Sequence, residues 1–360
     1  MKLKKLILIF SLIILIGTTD AFTRQNEVIP ISYAQSFSSE IVMDVNSLRV
    51  LSESNAHEKK YMASTTKILT ALVVISNCNM TDIITVTKDT IGVEGSSIYL
   101  EEGEKLSVKD LLYGLMLRSG NDCAETLAKH CSGSIENFAK LMNDTAQKLG
   151  AKNSNFINPH GLHDDNHYTT AYDLALISCA AMKNPTFREI VGTKKIRIPF
   201  TTRDTVRLLI NKNKMLNEFE GANGIKTGFT KKAGRCLVSS CYRDGMELVS
   251  VVLNCPPMFE RSKQLLSNAF NSYKNYKIAE SDHIVGFSKS KNGEKIALTI
   301  KNDVILPLTE SEYRSLNVKY EYPSEVESGT KKDQEIGSIK IYCENNLLFE
   351  EKIYTILDVD

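Results

Sequence analysis

Ser64-Thr65-Thr66-Lys67 sets a hydroxyl and an amine three residues apart, which on a helix brings both to one face about one turn apart. Serine is a poor nucleophile at its ordinary pKa and needs a base beside it; a lysine becomes that base when burial disfavours its ammonium form. Lys67 opens the run Ile68 to Ile75, apolar on every side. A helix of that kind belongs in the middle of a domain, so Lys67 is expected to be buried with it. Ser64, near the helix start, also gains from amide dipoles directed at any oxyanion formed there. The same Ser-x-x-Lys spacing recurs at Ser288 to Lys291 and at Ser328 to Lys331, both in polar, turn-rich sequence. Only Ser64 is followed, 55 residues on, by Ser119-Gly120-Asn121 and, 107 further, by Lys226-Thr227-Gly228 opening a strand. Order, spacing and context single out that set.

The elements that must position these residues are visible in outline. Ile41 to Leu51 has the pattern of a strand, and Met62 to Cys78 that of the buried helix. Leu106 to His130 reads as one or two helices on Leu111, Leu112, Leu115 and Met116, interrupted by a loop at Ser119-Gly120-Asn121. Phe138 to Leu149 and Thr170 to Met182 are again helical in period, with turn chemistry at Asn158-Pro159-His160-Gly161 between them. Asp173 then reads as a residue that caps or braces a helix. From Gly224 the period changes to strands: Cys236 to Tyr242 and Met246 to Asn254 flank Arg243-Asp244-Gly245, an Asp-Gly hairpin that implies antiparallel sheet. Arg261 to Tyr276 has the period of a closing helix, and from about Asp282 the chain turns to short strands ending in a hairpin across Asn345-Asn346. A boundary near residue 280 follows, with a catalytic unit at 35–280 and a β-rich unit at 281–360. Charge agrees: the last 80 residues carry 10 Lys plus Arg against 15 Asp plus Glu, a net of −5, and the rest 34 against 28, a net of +6.

The three motifs, in this order, resemble the low-molecular-mass penicillin-binding proteins, the serine-type D-Ala-D-Ala carboxypeptidases. Further stretches are similar to that family: Glu94 to Leu100, Leu111 to Asp122, Phe156 to Leu162, His167 to Ala171 with Asp173, and Gly224 to Phe229. The resemblance covers about residues 35 to 275. It implies an α/β (α+β) fold of the β-lactamase/transpeptidase-like kind, an antiparallel sheet covered by helices, with a small C-terminal all-β domain. It also implies removal of the terminal D-alanine from peptidoglycan stem peptides through an acyl-enzyme, with no cofactor and no metal, and acylation by β-lactams. Carried over residue by residue, it makes Ser64 the acylated nucleophile, Lys67 its general base and Ser119 a proton relay to the leaving D-alanine. Asn121 would hydrogen-bond the substrate's peptide amide, while Lys226 and Thr227 would hold its terminal carboxylate. Gly228 would let the strand backbone approach closely, and the backbone N–H groups of Ser64 and Phe229 would form the oxyanion hole. Two features mark this chain: Gly120 stands in the middle of Ser-x-Asn, and Phe229 would contribute only its backbone.

The resemblance leaves rivals. A β-lactamase would need a carboxylate base holding water on the acyl ester, and the stretch from Phe156 to Asp173 contains no Glu-x-x-Leu-Asn of that kind. A catalytically silent wall-binding or sensor domain would keep the fold without the chemistry. His160, His163 and His167, with Asp164 and Asp165, offer ligands for a zinc peptidase, but they lie in loop sequence after a Pro and a Gly and lack the H-E-x-x-H spacing on a helix.

Composition bounds the rest. The chain of 360 residues is 42% apolar and 24% charged with a net charge of +1, which disfavours disordered and polytopic membrane classes and leaves no strong basic field for nucleic acid. Lys2, Lys4 and Lys5 before the apolar run Leu6 to Ile16 read as an export signal within residues 1–34, with cleavage after Ala21 or Ala34. An uncleaved anchor is the alternative reading of that segment. The protein is therefore expected on the outer side of the membrane, secreted or wall-associated. Its final residues, Leu347 to Asp360, alternate like a strand, so no amphipathic membrane-lying helix is expected there. Eight scattered cysteines do not fix a connectivity, and Cys236, Cys241 and Cys255 fall in apolar strand-like sequence where a reduced thiol packs as a small hydrophobe.

Overall fold

The computed structural model describes residues 38–359, so the export signal expected at residues 1–34 lies outside the described residues. The described chain enters as a hairpin, β1 (Ser39–Asp44) and β2 (Val50–Ser54), where the alternation predicted one strand across Ile41 to Leu51. Local turn chemistry makes the break. Asp44 Oδ1 accepts from the Ser47 N–H at 2.7 Å and from Ser47 Oγ at 2.6 Å, and Leu48 takes left-handed backbone at φ 60°.

One 3-10 turn, Ala63–Thr66, leads into α1 (Lys67–Asn77). A small ribbon of β3 (Ile83–Thr85) and β4 (Lys105–Ser107) precedes α2 (Val108–Leu117), which starts at a capping box made by Ser107 and Asp110. After the expected break, α3 (Asn121–Ser132) begins on the motif asparagine itself. Then follow α4 (Ile135–Lys148), α5 (Ala171–Met182) and α6 (Pro185–Gly192), whose N-caps Ser134, Thr170 and Asn184 each accept from a backbone N–H of the first turn. The Ser134 cap starts α4 three residues before the predicted Phe138. A hairpin of β5 (Lys195–Phe200) and β6 (Thr205–Ile210) and the single turn α7 (Met215–Glu218) come next. The predicted hairpin is β8 (Gly234–Arg243) with β9 (Met246–Leu253), preceded by β7 (Ala222–Thr230). The closing helix α8 (Met258–Ser272) runs three residues ahead of its predicted start and ends where Tyr273 turns extended.

The first sheet is fully antiparallel in the order β2-β1-β9-β8-β7. Alternation along its strands divides the core: Ile41, Met43, Val238, Val249 and Val251 face the cluster that holds α1, α2, α3 and α5, whereas Val42, Leu237, Leu248 and Val252 face α8. Helix α1 runs through the middle of the larger cluster, with every residue from Lys67 to Val74 buried, as its unbroken apolar run requires.

Beyond α8 the chain is β-rich: β10 (Lys274–Ala279), β11 (Ile284–Ser290), β12 (Lys295–Thr299), β13 (Val304–Leu308), the short α9 (Glu310–Arg314), β14 (Leu316–Glu321), β15 (Glu325–Val326), β16 (Glu335–Cys343) and β17 (Asn346–Thr355). Strand β10 pairs with β13, and the others form a second sheet in the order β14-β16-β17-β12-β11-β15 with its own apolar cluster. The alternating C-terminal run is β17, paired along its length with β16. Arg49 reaches across from the first hairpin: it donates to Pro307 O and Glu312 Oε1, and its guanidinium lies over the Tyr273 ring at 5.5 Å. Among the described residues no helix is long and apolar enough to cross a membrane. All eight cysteines are free thiols, with Cys236, Cys241 and Cys255 buried as small apolar groups.

Leu69 is fully buried and Ile83 is 62% exposed, so truncation should separate them sharply. Leu69→Ala should cost roughly 2–5 kcal/mol of unfolding free energy by urea titration and Ile83→Ala about 0.5 kcal/mol or less. Equal losses would contradict the central placing of α1.

Candidate active site

Three chain segments meet at the start of α1. The turn carrying Ser64 lies between the edge strand β7 and the loop that follows α4, and glycine is what lets both approach. A Cβ added at Gly228 would sit 3.0 Å from Met62 O and 3.1 Å from the backbone nitrogens of Ser64 and Thr65. A Cβ at Gly161, where φ is +86°, would lie 1.9 Å from Ala63 O. Ala63 itself holds a left-handed φ of 48° immediately before Ser64, and Ser119 one of 66°. Strained backbone of this kind persists only where its surroundings over-determine it.

Lys67 is fully buried, and its amine is held from three directions. Nζ lies 2.6 Å from Asn121 Oδ1, 2.6 Å from His160 O and 3.2 Å from Ser64 Oγ. Burial lowers its pKa well below the ordinary lysine value, and the charge on nearby Lys226 lowers it further. Lys226, on β7, is also buried; Nζ donates to Thr227 O at 3.0 Å, and burial followed by the charge of Lys212 pushes its pKa down to about 7. Asn121 donates from Nδ2 to Glu94 O, and its backbone N–H donates to Ser96 O at 2.7 Å. Its amide keeps one N–H and one lone pair for a further partner. Ser119 Oγ is buried and makes no hydrogen bond.

A cleft of about 270 Å³ opens beside Ser64, lined by Ser119, Lys212, Thr227, Phe229, Arg235 and Phe259 among others. Its lining carries the cationic side chains of Lys212 and Arg235 and, among the described residues, no carboxylate. Phe229 is 59% exposed, with the Arg235 guanidinium 5.4 Å from its ring centroid. Thus Ser64, Lys67, Ser119, Asn121, Lys226, Thr227, Gly228 and Phe229, 165 positions apart at the extremes, are brought to one place.

Residues 26–256 match the family model described as D-alanyl-D-alanine carboxypeptidase. The chain belongs to that family. Residues 273–360 match the model described as the C-terminal domain of penicillin-binding protein 5. The chain is 29% identical over 357 residues to the D-alanyl-D-alanine carboxypeptidase DacF of Bacillus subtilis, covering 96% of this chain and 92% of that one. It is 31% identical to the carboxypeptidase DacA of Haemophilus influenzae, covering 83% and 79%. Among solved structures, penicillin-binding protein 5 of Haemophilus influenzae superposes with a TM-score of 0.78 at 28% identity, over 90% of this chain and 97% of that one. A mutant of the Streptomyces K15 DD-transpeptidase gives 0.61 at 32% identity, over 65% and 97%.

Around the motifs of this carboxypeptidase stand residues the pattern alone did not reveal. Asp122 is buried, and its carboxylate accepts from Ser97 Oγ at 2.5 Å and from the N–H groups of Ile98 and Leu100, tying the preceding loop to the start of α3. Its place directly after Asn121 was the only available signal. Lys212 lies between β6 and α7, with Nζ 3.2 Å from Ser96 Oγ; nothing in its neighbours announced it. The histidines face different partners. His167 accepts from the Ile157 N–H at Nδ1 (3.0 Å) and meets Thr66 Oγ1 at Nε2 (2.8 Å), and burial pushes its pKa down to about 3, so it braces the turn as a neutral ring. His160 accepts from the Leu162 N–H at Nδ1 and turns Nε2 toward Glu125, while His163 faces Asp165. Asp173 braces α5, accepting from the Asn153 N–H at 2.6 Å and from Ser154 Oγ at 2.8 Å.

The depressed pKa of Lys226 has a signed consequence for stability. Unfolded, the lysine keeps its proton up to about 10.5; folded, it keeps it only up to about 7. Burying the ammonium therefore costs most at and below pH 7, and the cost fades as pH rises toward 10.5. Lys226→Met should be more stable than the parent by up to on the order of 4 kcal/mol near neutral pH, with the gain shrinking toward pH 10. Chemical denaturation of both chains across that range checks this, and a difference constant with pH would contradict it.

Proposed function

We propose that this D-Ala-D-Ala carboxypeptidase acts through Ser64 as the acylated nucleophile and Lys67 as its general base. The observation that carries the reading is the coordination of Lys67 Nζ. A neutral amine has two N–H donors and one lone pair; two acceptors, Asn121 Oδ1 and His160 O, each stand at 2.6 Å, and the third neighbour is the Ser64 hydroxyl at 3.2 Å. With both N–H bonds committed to the acceptors, the lone pair is left for the Ser64 proton. Burial and the charge on Lys226 keep the amine neutral so that it can accept.

The substrate in this reading is the C-terminal D-Ala-D-Ala of a peptidoglycan stem peptide. Its carboxylate meets the cation of Lys226 and the hydroxyl of Thr227 in a cleft without opposing carboxylates. Its scissile carbonyl lies between the N–H groups of Ser64 and Phe229, which the missing Cβ of Gly228 allows to come together. Ser64 Oγ attacks as its proton passes to Lys67. Ser119 Oγ, with no hydrogen bond of its own, is placed to hand a proton to the leaving D-alanine nitrogen. Asn121 uses its remaining N–H on the substrate's peptide amide. Water then cleaves the acyl ester and frees the enzyme. A β-lactam presents a carbonyl and a carboxylate of the same disposition, and after ring opening its acyl group stays attached to Ser64.

The same reading divides the chain into a catalytic unit at 35–280 and a β-rich unit at 281–360, with strand β10 extending the second unit back to Lys274. It places the protein outside the membrane after export through the basic and apolar segment at its start, with β-lactams and stem peptides as its ligands and no nucleic acid.

Mass spectrometry after benzylpenicillin tests the assignment. The parent chain should carry one covalent adduct on Ser64 that lasts minutes or longer once free drug is removed, since among the described residues no carboxylate lines the cleft to hold a hydrolytic water. Ser64→Ala should lose both the adduct and D-alanine release, and Lys67→Ala should lose about 10³-fold or more in acylation rate with the fold intact. Retained peptide hydrolysis in Ser64→Ala would refute the nucleophile, and loss of the adduct within seconds over many turnovers would make the protein a β-lactamase.

A further inference from the structure

The carbonyl of Ala63 and the N–H of Ser64 belong to one trans peptide unit. Such a unit is planar, with its C=O and N–H pointing in opposite directions, so whatever fixes the carbonyl also aims the N–H. Ala63 O is held from two sides. Gly161 backs it so closely that an added Cβ would lie 1.9 Å away, and Thr66 Oγ1 stands 2.8 Å from it. Thr66 is fully buried, and its hydroxyl has a second partner in His167 Nε2, at 2.8 Å. The other ring nitrogen of His167, Nδ1, takes the Ile157 N–H at 3.0 Å. These contacts permit one assignment of protons. A backbone N–H can only donate, so Nδ1 carries a lone pair, and the ring, kept neutral by burial, holds its proton on Nε2. A carbonyl can only accept, so the single Thr66 hydroxyl proton goes to Ala63 O, and the Thr66 oxygen accepts from Nε2. The bonds therefore run one way, from the Ile157 N–H through the imidazole and the hydroxyl to the Ala63 carbonyl. His167 is 2% exposed, and the Phe156 ring meets it edge-on with centroids 5.8 Å apart, which fixes the plane of the imidazole.

We propose that His167 is a positioning residue of the oxyanion hole, which acts through the Thr66 hydroxyl to set the Ala63–Ser64 peptide so that the Ser64 N–H points at the substrate's developing oxyanion. The inference rests on the reading of Ser64 as the nucleophile and of its N–H as one of the two oxyanion donors. Two effects act together. The first is geometric: Ala63 holds a left-handed φ of 48°, which its surroundings must over-determine, and the bond from Thr66 to its carbonyl is one of the contacts that does so. The second is electronic: donation to the carbonyl draws charge toward its oxygen and makes the N–H of the same peptide a stronger donor. No proton crosses the chain of bonds. His167 works by orientation, and its place in the loop before α5 ties that loop to the chemistry at the start of α1.

Two substitutions at His167 separate the donor from the acceptor. His167→Gln keeps a donor at the position of Nε2 and loses the acceptor for Ile157; His167→Asn keeps an acceptor at the position of Nδ1 and loses the donor to Thr66. Thr66→Val keeps the shape of the side chain without the hydroxyl. The readings, on the full chain, are the rate of acylation by benzylpenicillin, kcat and KM for a peptide ending in D-Ala-D-Ala, and the infrared carbonyl stretch of the penicilloyl ester. His167→Asn and Thr66→Val should each slow acylation and lower kcat about ten-fold or more while KM changes less than about three-fold. In both, the ester stretch should move to higher frequency as its hydrogen bonds weaken. His167→Gln and Thr66→Ser should recover most of the rate and the parent's stretch. The double variant Thr66→Val/His167→Asn should be no slower than its slower parent, since both changes cut one chain of bonds. If His167→Asn loses its cooperative urea transition, Thr66→Val against Thr66→Ser decides by the same readings. Failure of the nucleophile assignment would show separately, as peptide hydrolysis retained by Ser64→Ala. Equal losses in the Gln and Asn variants, an unmoved stretch in Thr66→Val, or additive losses in the double variant would overturn the role of His167.

Discussion

Two neighbouring lysine side chains, Lys67 and Lys226, are buried behind the residues that line the cleft beside Ser64. In a low-dielectric site two interacting ammonium groups cannot both be cheap to keep, and each also loses its hydration. The arrangement resolves this unevenly. Lys67 has two acceptors on its nitrogen and its charge is disfavoured by burial and then by Lys226, while burial pushes the Lys226 pKa down to about 7. Burial does most to lower the Lys67 pKa, and the charge on Lys226 adds to it.

The surrounding fold exists in large part to make that burial tolerable. Helix α1 is apolar on all sides because it must thread the core, and only so central a helix can carry Lys67 away from water. Helix α3 starts on Asn121, so its first residue supplies one acceptor for Nζ, and the loop at Asn158 to Gly161 supplies the other from His160 O. The missing Cβ atoms of Gly161 and Gly228 let that loop and β7 approach the backbone of the Ser64 turn. Removing hydrogen-bond partners from so deep an amine would leave it both unpaired and desolvated, which is the costly case for a buried polar group.

Much of this could be read from the sequence because the chemistry uses residue types whose order is fixed along the chain. Three Ser-x-x-Lys stretches compete, and the Ser-Gly-Asn and Lys-Thr-Gly stretches that follow only Ser64, with the apolar run after Lys67, choose among them. The break between α2 and α3 and the β8–β9 hairpin were equally plain, since Ser-Gly-Asn and Asp-Gly are strong local signals. What escaped was long-range or written in side-chain detail. The β1 turn depends on Asp44 reaching Ser47 inside an otherwise strand-like run. The β5–β6 hairpin carries exposed Val206, Leu208 and Ile210, so its alternation does not point to a core. Acceptance by the His160 carbonyl and the placing of Lys212 come from tertiary approach between segments that share no local pattern.

The central claim is that Lys67 is a neutral amine in the resting protein, and nuclear magnetic resonance of selectively ¹⁵N-labelled lysine reads that state directly. With the Lys67 signal assigned by its loss in Lys67→Ala, titration should show an amine that takes up its proton well below the ordinary lysine value of 10.5. Replacing Lys226 by Met should raise that midpoint, because one of the charges holding it down is gone. A Lys67 signal that titrates near 10.5, or one that ignores the loss of Lys226, would contradict the account.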